Sequence, residues 1–389
     1  MLQGNMLIAH GGGPTPVINS SLLGAVTEAK RHSEIQTIFG ARFGAEGILA
    51  GDLMDLGQYS EETLALLART PASALGSCRR KLTDADYPAV LECFKKYNIR
   101  YFFYNGGNDS MDTCHKIYQL ASKMGYELHV IGIPKTIDND LAVTDHCPGF
   151  GSAAKFAAMS ALEIAFDASA LPIHVVVLEL MGRNAGWLTA SAALFQDKMP
   201  CELLVYLPER AFDKERFLTD VQDAFAKGRG LVVAVSEGIH YADGSPVADS
   251  GIVDGFGHKV PGGAAQALSN LILTETPLKS RSEKPGLLGR VSVELMSGVD
   301  QKEAYDAGAF AVKCAVEGQS GYMVGFRTIR QPNYQTELCL VPLEQVANAE
   351  KTFPLEWINE TGNGISPAFA DYCLPLLGEV NTEFADLRG

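Results

Sequence analysis

The stretches Y-N-G-G-N-D-S (residues 104–110) and P-K-T-I-D-N-D (residues 134–140) decide how this chain reads. Each follows an apolar run with the pattern of a buried strand, residues 100–104 and 129–133, so both fall where strands end. In open α/β sheets that rim is where ligands bind. The first stretch supplies two glycines, an amide and a carboxylate; the second adds a lysine and two carboxylates. Glycine lets backbone N–H groups close on an anion, lysine neutralises it, and carboxylates can hold a divalent ion or accept a hydroxyl proton. This inventory suits phosphoryl transfer.

The same grammar recurs outward from these stretches. Residues 6–10 read as a short strand, followed by Gly11-Gly12-Gly13 and a helical pattern over about residues 16–32, the strand–turn–helix unit that binds anions in α/β folds. It is not a Walker loop, because no Gly-Lys-Ser/Thr follows, and G-x-G-x-x-G is absent. By itself the glycine triplet reads first as a tight turn. Further strand-like runs lie at residues 37–39, 174–178, 203–206 and 231–235, with helical stretches between most of them, including residues 109–122 and the alanine-rich 150–166. That alternation indicates βαβ units, an α/β fold with mainly parallel sheets.

Composition narrows the function classes. At 389 residues the chain is long for one core, and two or three packed lobes are expected, with no repeat or linker to separate independent domains. No apolar run reaches the roughly 18 residues of a membrane span, and M-L-Q-G-N-M-L-I-A-H lacks a signal-peptide pattern, so a cytoplasmic protein is expected. Eight scattered cysteines without a C-x-x-C pair argue against zinc and against a disulfide framework. A net charge of −14 disfavours nucleic acid and anionic membranes as partners. Screening confines fields to about 8–10 Å, so local cations such as Arg79, Arg80, Lys81, Lys135, Arg183, Arg281 and Arg290 can still serve a small polyanion.

With G-G-N-D-S and P-K-T-I-D-N-D, the segments M-G-R (181–183), G-G-G-P-T-P-V-I-N from Gly11, L-G-S-C-R from Leu75 and S-E-G from Ser236 match a pattern in order and spacing. Together they resemble the phosphofructokinase family, of the pyrophosphate-dependent type, over about residues 6–310. The resemblance implies two doubly wound lobes with the active site in the cleft between them. Lobe one would hold about residues 1–150 and 289–340, and lobe two about 151–288 and 341–389. It implies transfer of a phosphoryl group from pyrophosphate to the 1-hydroxyl of fructose 6-phosphate, reversibly and with Mg²⁺, by a homodimer or larger homo-oligomer. Two alternatives keep the fold: another acceptor, such as sedoheptulose 7-phosphate, or a non-catalytic regulatory subunit.

Residue by residue, the resemblance makes Asp138 the base, with Thr136 on the substrate and Asp140 an orienting or metal-linked carboxylate. If the segment were strand-like, Asp138 and Asp140 would share a face; in isolation D-N-D reads as a turn. Gly12, Gly107 and Arg79 become donor-phosphate contacts. Lys135 stands where ATP-dependent relatives carry glycine, and a cation there can balance charge on a diphosphate as its bridging bond breaks. Elsewhere a lysine at a strand end reads as a surface side chain with its stem laid over apolar neighbours. Asp109 also replaces a glycine, and its carboxylate would occupy the space of a nucleotide's α-phosphate. Like charges at 4 Å repel by about 4 kcal/mol at a dielectric near 20, roughly a thousandfold against ATP. As a first-turn acid Asp109 would also suit the helix start. Asn108 replaces a metal-binding aspartate and offers an uncharged oxygen to Mg²⁺.

On the acceptor side the resemblance assigns Met181, Gly182, Arg183 and Glu237 to the sugar phosphate, Arg290 to its 6-phosphate, and Arg281 to the neighbouring subunit's phosphate. Arginine offers phosphate a planar fork. Leu287, Gly289 and His174 depart from the aromatic, glutamine and arginine of relatives, which implies a looser grip on fructose 6-phosphate and room for a longer sugar.

Overall fold

The computed structural model describes residues 2–253, 259–347 and 349–385. The chain divides into two compact units, Met1–Ser152 with Arg290–Lys351, and Ala153–Gly289 with Thr352–Gly389. In chain order the first unit contributes β1 (Gly4–His10), β2 (Ile35–Ala41), β3 (Leu53–Asp55), β4 (Ile99–Gly106) and β5 (His129–Pro134). The second contributes β6 (Val175–Leu180), β7 (Glu202–Tyr206), β8 (Leu231–Ser236), β9 (Asp249–Val253), β10 (Lys259–Pro261) and β11 (Ser280–Glu283). β12 (Tyr322–Ile329) and β13 (Gln335–Pro342) return to the first.

The first unit is built on a seven-stranded sheet in the order β13-β12-β5-β4-β1-β2-β3. β2, β1, β4, β5 and β12 run parallel, while β3 and β13 run antiparallel at the two edges. Its central strands bury both faces: Leu7, Phe102 and Val130 enter one core, and Met6, Ile8, Tyr101, Phe103 and Ile131 the other. Alternate residues of a strand point to opposite faces, so double burial makes the strand apolar throughout, the pattern that marked it in the sequence. Helix Ile18–Ala29 packs tightly on helix Gly298–Val316, because a side chain at Gly24 would meet the Tyr305 carbonyl and one at Gly308 the Ser21 carbonyl, each at 2.0 Å.

The second unit holds a parallel sheet in the order β11-β6-β8-β7 and an antiparallel β9–β10 pair. Val175, Val177, Val233 and Val235 form its centre. Trp187 gathers Phe353, Trp357, Phe369 and Tyr372 of the returning C-terminal stretch, with centroids 5.2 to 6.5 Å away. The fold is therefore α/β with mainly parallel sheets. Two features depart from the sequence reading: β11, whose sequence S-R-S-E has no apolar run, and the antiparallel β12–β13 hairpin. No helix among the described residues is long and apolar enough to cross a membrane.

Candidate active site

In the first unit, β1 and β4 are neighbours, so the glycine loop after one lies beside the G-G-N-D-S turn after the other. Ser110, in the first turn of helix Asn108–Lys123, fills the space at Gly11 and Gly106, where an added Cβ would come within 2.3 and 2.0 Å of its Oγ. Gly12 adopts a φ of 75°, a left-handed conformation that glycine takes without strain. Its N–H bonds the Cys78 carbonyl at 2.9 Å and its carbonyl accepts from Ser77 Oγ at 2.7 Å, which ties the L-G-S-C-R segment to the loop.

Lys135 is not a surface lysine. It is 3% exposed, and its Nζ donates to the Gly13 carbonyl at 2.6 Å. Burial pulls its pKa down to about 8, Asp138 and Asp140 oppose that fall, and Arg290 and Arg79 deepen it. The two arginines reach the same loop: a Cβ placed on Gly13 would lie 2.8 Å from Arg290 Nη1 and 3.8 Å from Arg79 Nη2. Three cations thus converge on Gly12 and Gly13, an arrangement whose mutual repulsion a polyanion would relieve. Arg290, which the family resemblance assigns to the sugar phosphate, stands in this structure beside Lys135 and Arg79.

The aspartate segment is a bend rather than a strand, and this corrects the shared-face geometry for Asp138 and Asp140. β5 ends at Pro134, and Asn139 turns the chain with φ 55°. The buried Asn139 locks the bend, its Oδ1 accepting from Cys147 N at 3.1 Å and from Lys351 Nζ at 3.5 Å. Thr136 Oγ1 accepts from Asp138 N at 3.0 Å, and both aspartates are half-buried. Asp109 is a first-turn acid of helix Asn108–Lys123, with Gly107 at the cap position; its exposed carboxylate lies 3.3 Å from Lys81 Nζ.

Asn108 Nδ2 donates to Asp140 Oδ2 at 2.9 Å. The other oxygens of the pair, Asn108 Oδ1 and Asp140 Oδ1, are buried without a hydrogen-bond partner among the described residues. Buried acceptors left unsatisfied are costly, and two adjacent hard oxygens fit Mg²⁺, which takes few protein ligands. Among the described residues no cluster of three or more His, Cys, Asp or Glu could hold a metal, so this pair suits an ion carried largely by its substrate.

One residue escaped the sequence reasoning altogether. His10 is fully buried beside the glycine loop, its Nδ1 2.7 Å from Ser73 Oγ. That hydroxyl donates to the Gly76 carbonyl at 2.7 Å, so it accepts from His10 Nδ1–H, and Nε2 carries a buried lone pair. Burial above all, then the nearby Lys135, holds His10 neutral with a pKa of about 3.

The second unit assembles a separate group at the C-terminal ends of β6 and β8. Glu237 N donates to the Leu180 carbonyl at 3.0 Å, and the Gly182 N–H bonds the Glu237 carboxylate. Gly182 needs its glycine: φ is 129°, and a Cβ would sit 2.5 Å from the Ala185 carbonyl. Met181, Gly182, exposed Arg183 and Glu237 are thereby brought together. Met181 and Gly289 line one recess with Glu179, and a Cβ on Gly289 would make ordinary contact with Phe156 at 3.6 Å. Leu287 is 62% exposed. Arg281 and His174 lie elsewhere. Arg281 is exposed on edge strand β11, paired with Val176 at the start of β6. His174 precedes β6, its Nδ1 accepting from Lys279 N at 3.1 Å and its ring 5.0 Å from Phe225. The six residues of β6 set these two roughly 20 Å from Met181.

The phosphofructokinase family profile matches residues 5–315. The chain belongs to the phosphofructokinase family. A phosphofructokinase relative from Halomonas elongata, named pyrophosphate–fructose 6-phosphate 1-phosphotransferase, is 41% identical over 387 residues, covering 97% of this chain and 92% of the relative. The crystal structure of a pyrophosphate-dependent phosphofructokinase from Nitrosospira multiformis matches with a TM-score of 0.89 and 38% identity, over 99% of this chain and 94% of that one. A protein from Alkalicoccus urumqiensis named sulfofructose kinase is 34% identical over 356 residues, 91% of each chain.

Proposed function

We propose that this phosphofructokinase transfers a phosphoryl group from pyrophosphate to the 1-hydroxyl of fructose 6-phosphate, giving fructose 1,6-bisphosphate and phosphate, reversibly. The observation that carries this reading is the buried Lys135 ammonium at Gly13, with Arg79 and Arg290 beside it. A compact cluster of three cations suits a small, highly charged donor. Gly12, Gly107 and these cations would hold the diphosphate and take up the charge that grows on the leaving phosphate. Asp138 accepts the 1-hydroxyl proton as the new P–O bond forms and the bridging P–O bond breaks; positioning supplies most of the remaining rate. Asn108 and Asp140 would hold Mg²⁺, which supplies charge neutralisation on the phosphate oxygens. Thr136, Met181, Gly182, Arg183 and Glu237 would hold the sugar phosphate, with Leu287 at the rim. Replacing Asp138 by Asn removes the proton acceptor with little change in volume, so kcat falls by about two to four decades while either KM changes far less. A variant keeping a tenth of the parent kcat would remove Asp138 from this role.

We infer further that the working form is at least a homodimer, in which exposed Arg281 serves the second copy's phosphate pocket. Arg183→Ala and Arg281→Ala are then each poorly active, and mixing the two variants under exchange conditions recovers activity that neither has. Failure of the mixture to exceed the sum of its parts contradicts the shared pocket.

A further inference from the structure

Lys351 is the last residue of the first unit and stands 212 residues after Asn139, yet the chain returns there to the aspartate bend. Glu350 forms an antiparallel bridge with Leu141, and Lys351 N donates to the Asp140 carbonyl at 2.7 Å. The half-buried side chain enters the same loop. Its Nζ donates to the Asp145 carbonyl at 2.8 Å, to the Thr144 carbonyl at 3.2 Å and to Asn139 Oδ1 at 3.5 Å. A lysine ammonium carries three N–H donors, and these three oxygens all belong to residues 138–147. Hydrogen bonds from an ionised donor are the shorter and stronger kind.

That loop holds a backbone that needs such a tie. Two of its residues are left-handed without being glycine, Asn139 with φ 55° and Val143 with φ 62°. Asparagine tolerates this conformation, whereas a β-branched valine is strained in it. Val143 is 57% exposed, so packing does not impose its conformation. Hydrogen bonds do: Cys147 N donates to Asn139 Oδ1 at 3.1 Å, and Thr144 Oγ1 accepts from Phe326 N at 2.9 Å and donates to the His146 carbonyl at 3.0 Å. Asp138 opens the loop, its N–H held by Thr136 Oγ1 on one side and its chain fixed on the other at Asn139 and Asp140, both partners of Lys351.

We propose that Lys351 is a positioning residue for phosphoryl transfer, its backbone N–H and its ammonium together clamping the bend so that Asp138 meets the attacking hydroxyl in one orientation. This role rests on reading Asp138 as the base. Misplacing a reacting group by about 1 Å can cost about a hundredfold in rate. Lost alignment is felt in the transition state, so it lowers kcat and leaves KM nearly unchanged.

The test is steady-state kinetics with pyrophosphate, fructose 6-phosphate and Mg²⁺ on the full-length parent, Lys351→Met, Lys351→Arg, Asn139→Gly, the Lys351→Met/Asn139→Gly double variant and Asp138→Asn. Pyrophosphate-binding sites are counted by calorimetry and kcat is expressed per site, so that unfolded chains drop out of the comparison. Methionine keeps the apolar stem of Lys351 and deletes its donors. Glycine at 139 accepts the positive φ and deletes the amide oxygen.

Lys351→Met is expected to lower kcat per site by about ten- to a hundredfold with both KM values within about threefold of the parent. Lys351→Arg, which keeps the charge and the donors, stays within about threefold of the parent. The double variant falls no more than about threefold below the slower single variant, because both substitutions act through one bend. A Lys351→Met kcat per site within about threefold of the parent overturns the proposal, since a merely structural lysine would reduce only the number of sites. Losses that multiply in the double variant, or a Lys351→Arg variant no faster than Lys351→Met, overturn it as well. Asp138→Asn separates the clamp from the base. If Asp138→Asn loses decades of kcat while Lys351→Met matches the parent, the clamp alone is wrong; if Asp138→Asn keeps about a tenth of the parent kcat, the base is elsewhere and the clamp falls with it.

Discussion

At the residue scale, Lys135 is the side chain on which the proposed donor choice rests. A lysine at a strand end is ordinarily solvated, yet this one is buried, bonded to Gly13 and accompanied by two arginines. Burying a cation among cations costs stability, and sites that bear such a cost are where ligands of opposite charge bind. Lys135→Met keeps the length and apolar stem while deleting the charge. It is expected to lower kcat/KM for pyrophosphate by about two to three decades, with the fructose 6-phosphate KM changed by less than about threefold. A pyrophosphate kcat/KM within tenfold of the parent would show that the ammonium does not serve the donor. The type of this residue was legible in the sequence; its burial was not, because Gly13, Arg79 and Arg290 are distant in the chain. Asn139 was hidden for a related reason. Between two aspartates it looks like turn filler, and only the fold reveals its bonds to Cys147 and Lys351.

At the element scale, strands buried on both faces were legible because double burial leaves an unbroken apolar signature: residues 100–104, 129–133 and 231–235 fall within β4, β5 and β8. β11 was not, since a polar edge strand carries no such signature. Nor was the network that ties the β12–β13 hairpin to the segment following the bend. His146 lies 2.9 Å from Asp145 and 2.8 Å from Glu303, Arg330 grips Asp145 with two bonds, and Tyr334 donates to Glu303. Burial opposes every charge here, but partners outweigh it: His146 is raised above its ordinary value, while Asp145 and Glu303 are lowered. Stability from the carboxylates is present above their ordinary range near pH 4 and lost as pH falls through their depressed values. Stability from His146 is present below about pH 6.5 and lost as pH rises through its raised value. The network's own contribution to stability should therefore hold between about pH 4.5 and 6.5 and decline on both sides. His146→Gln should lower that plateau and remove the part of the alkaline decline in melting temperature that begins near pH 6.5. An alkaline limb identical in parent and variant would mean that His146 is not charged in the folded protein.

At the scale of the whole molecule, the chain is a phosphofructokinase whose first unit carries Lys135, Arg79 and Arg290 around the Gly12-Gly13 loop and whose second unit carries Met181, Gly182, Arg183 and Glu237. Donor choice follows from the proposed roles of Lys135 and Asp109, both of which call for a diphosphate rather than a nucleotide. The most direct measurement compares kcat/KM for pyrophosphate and for ATP, with purified full-length protein, fructose 6-phosphate and Mg²⁺. Pyrophosphate is expected to exceed ATP by about a thousandfold or more, the selectivity that like-charge repulsion at Asp109 would impose. An ATP value within tenfold of the pyrophosphate value would contradict the account.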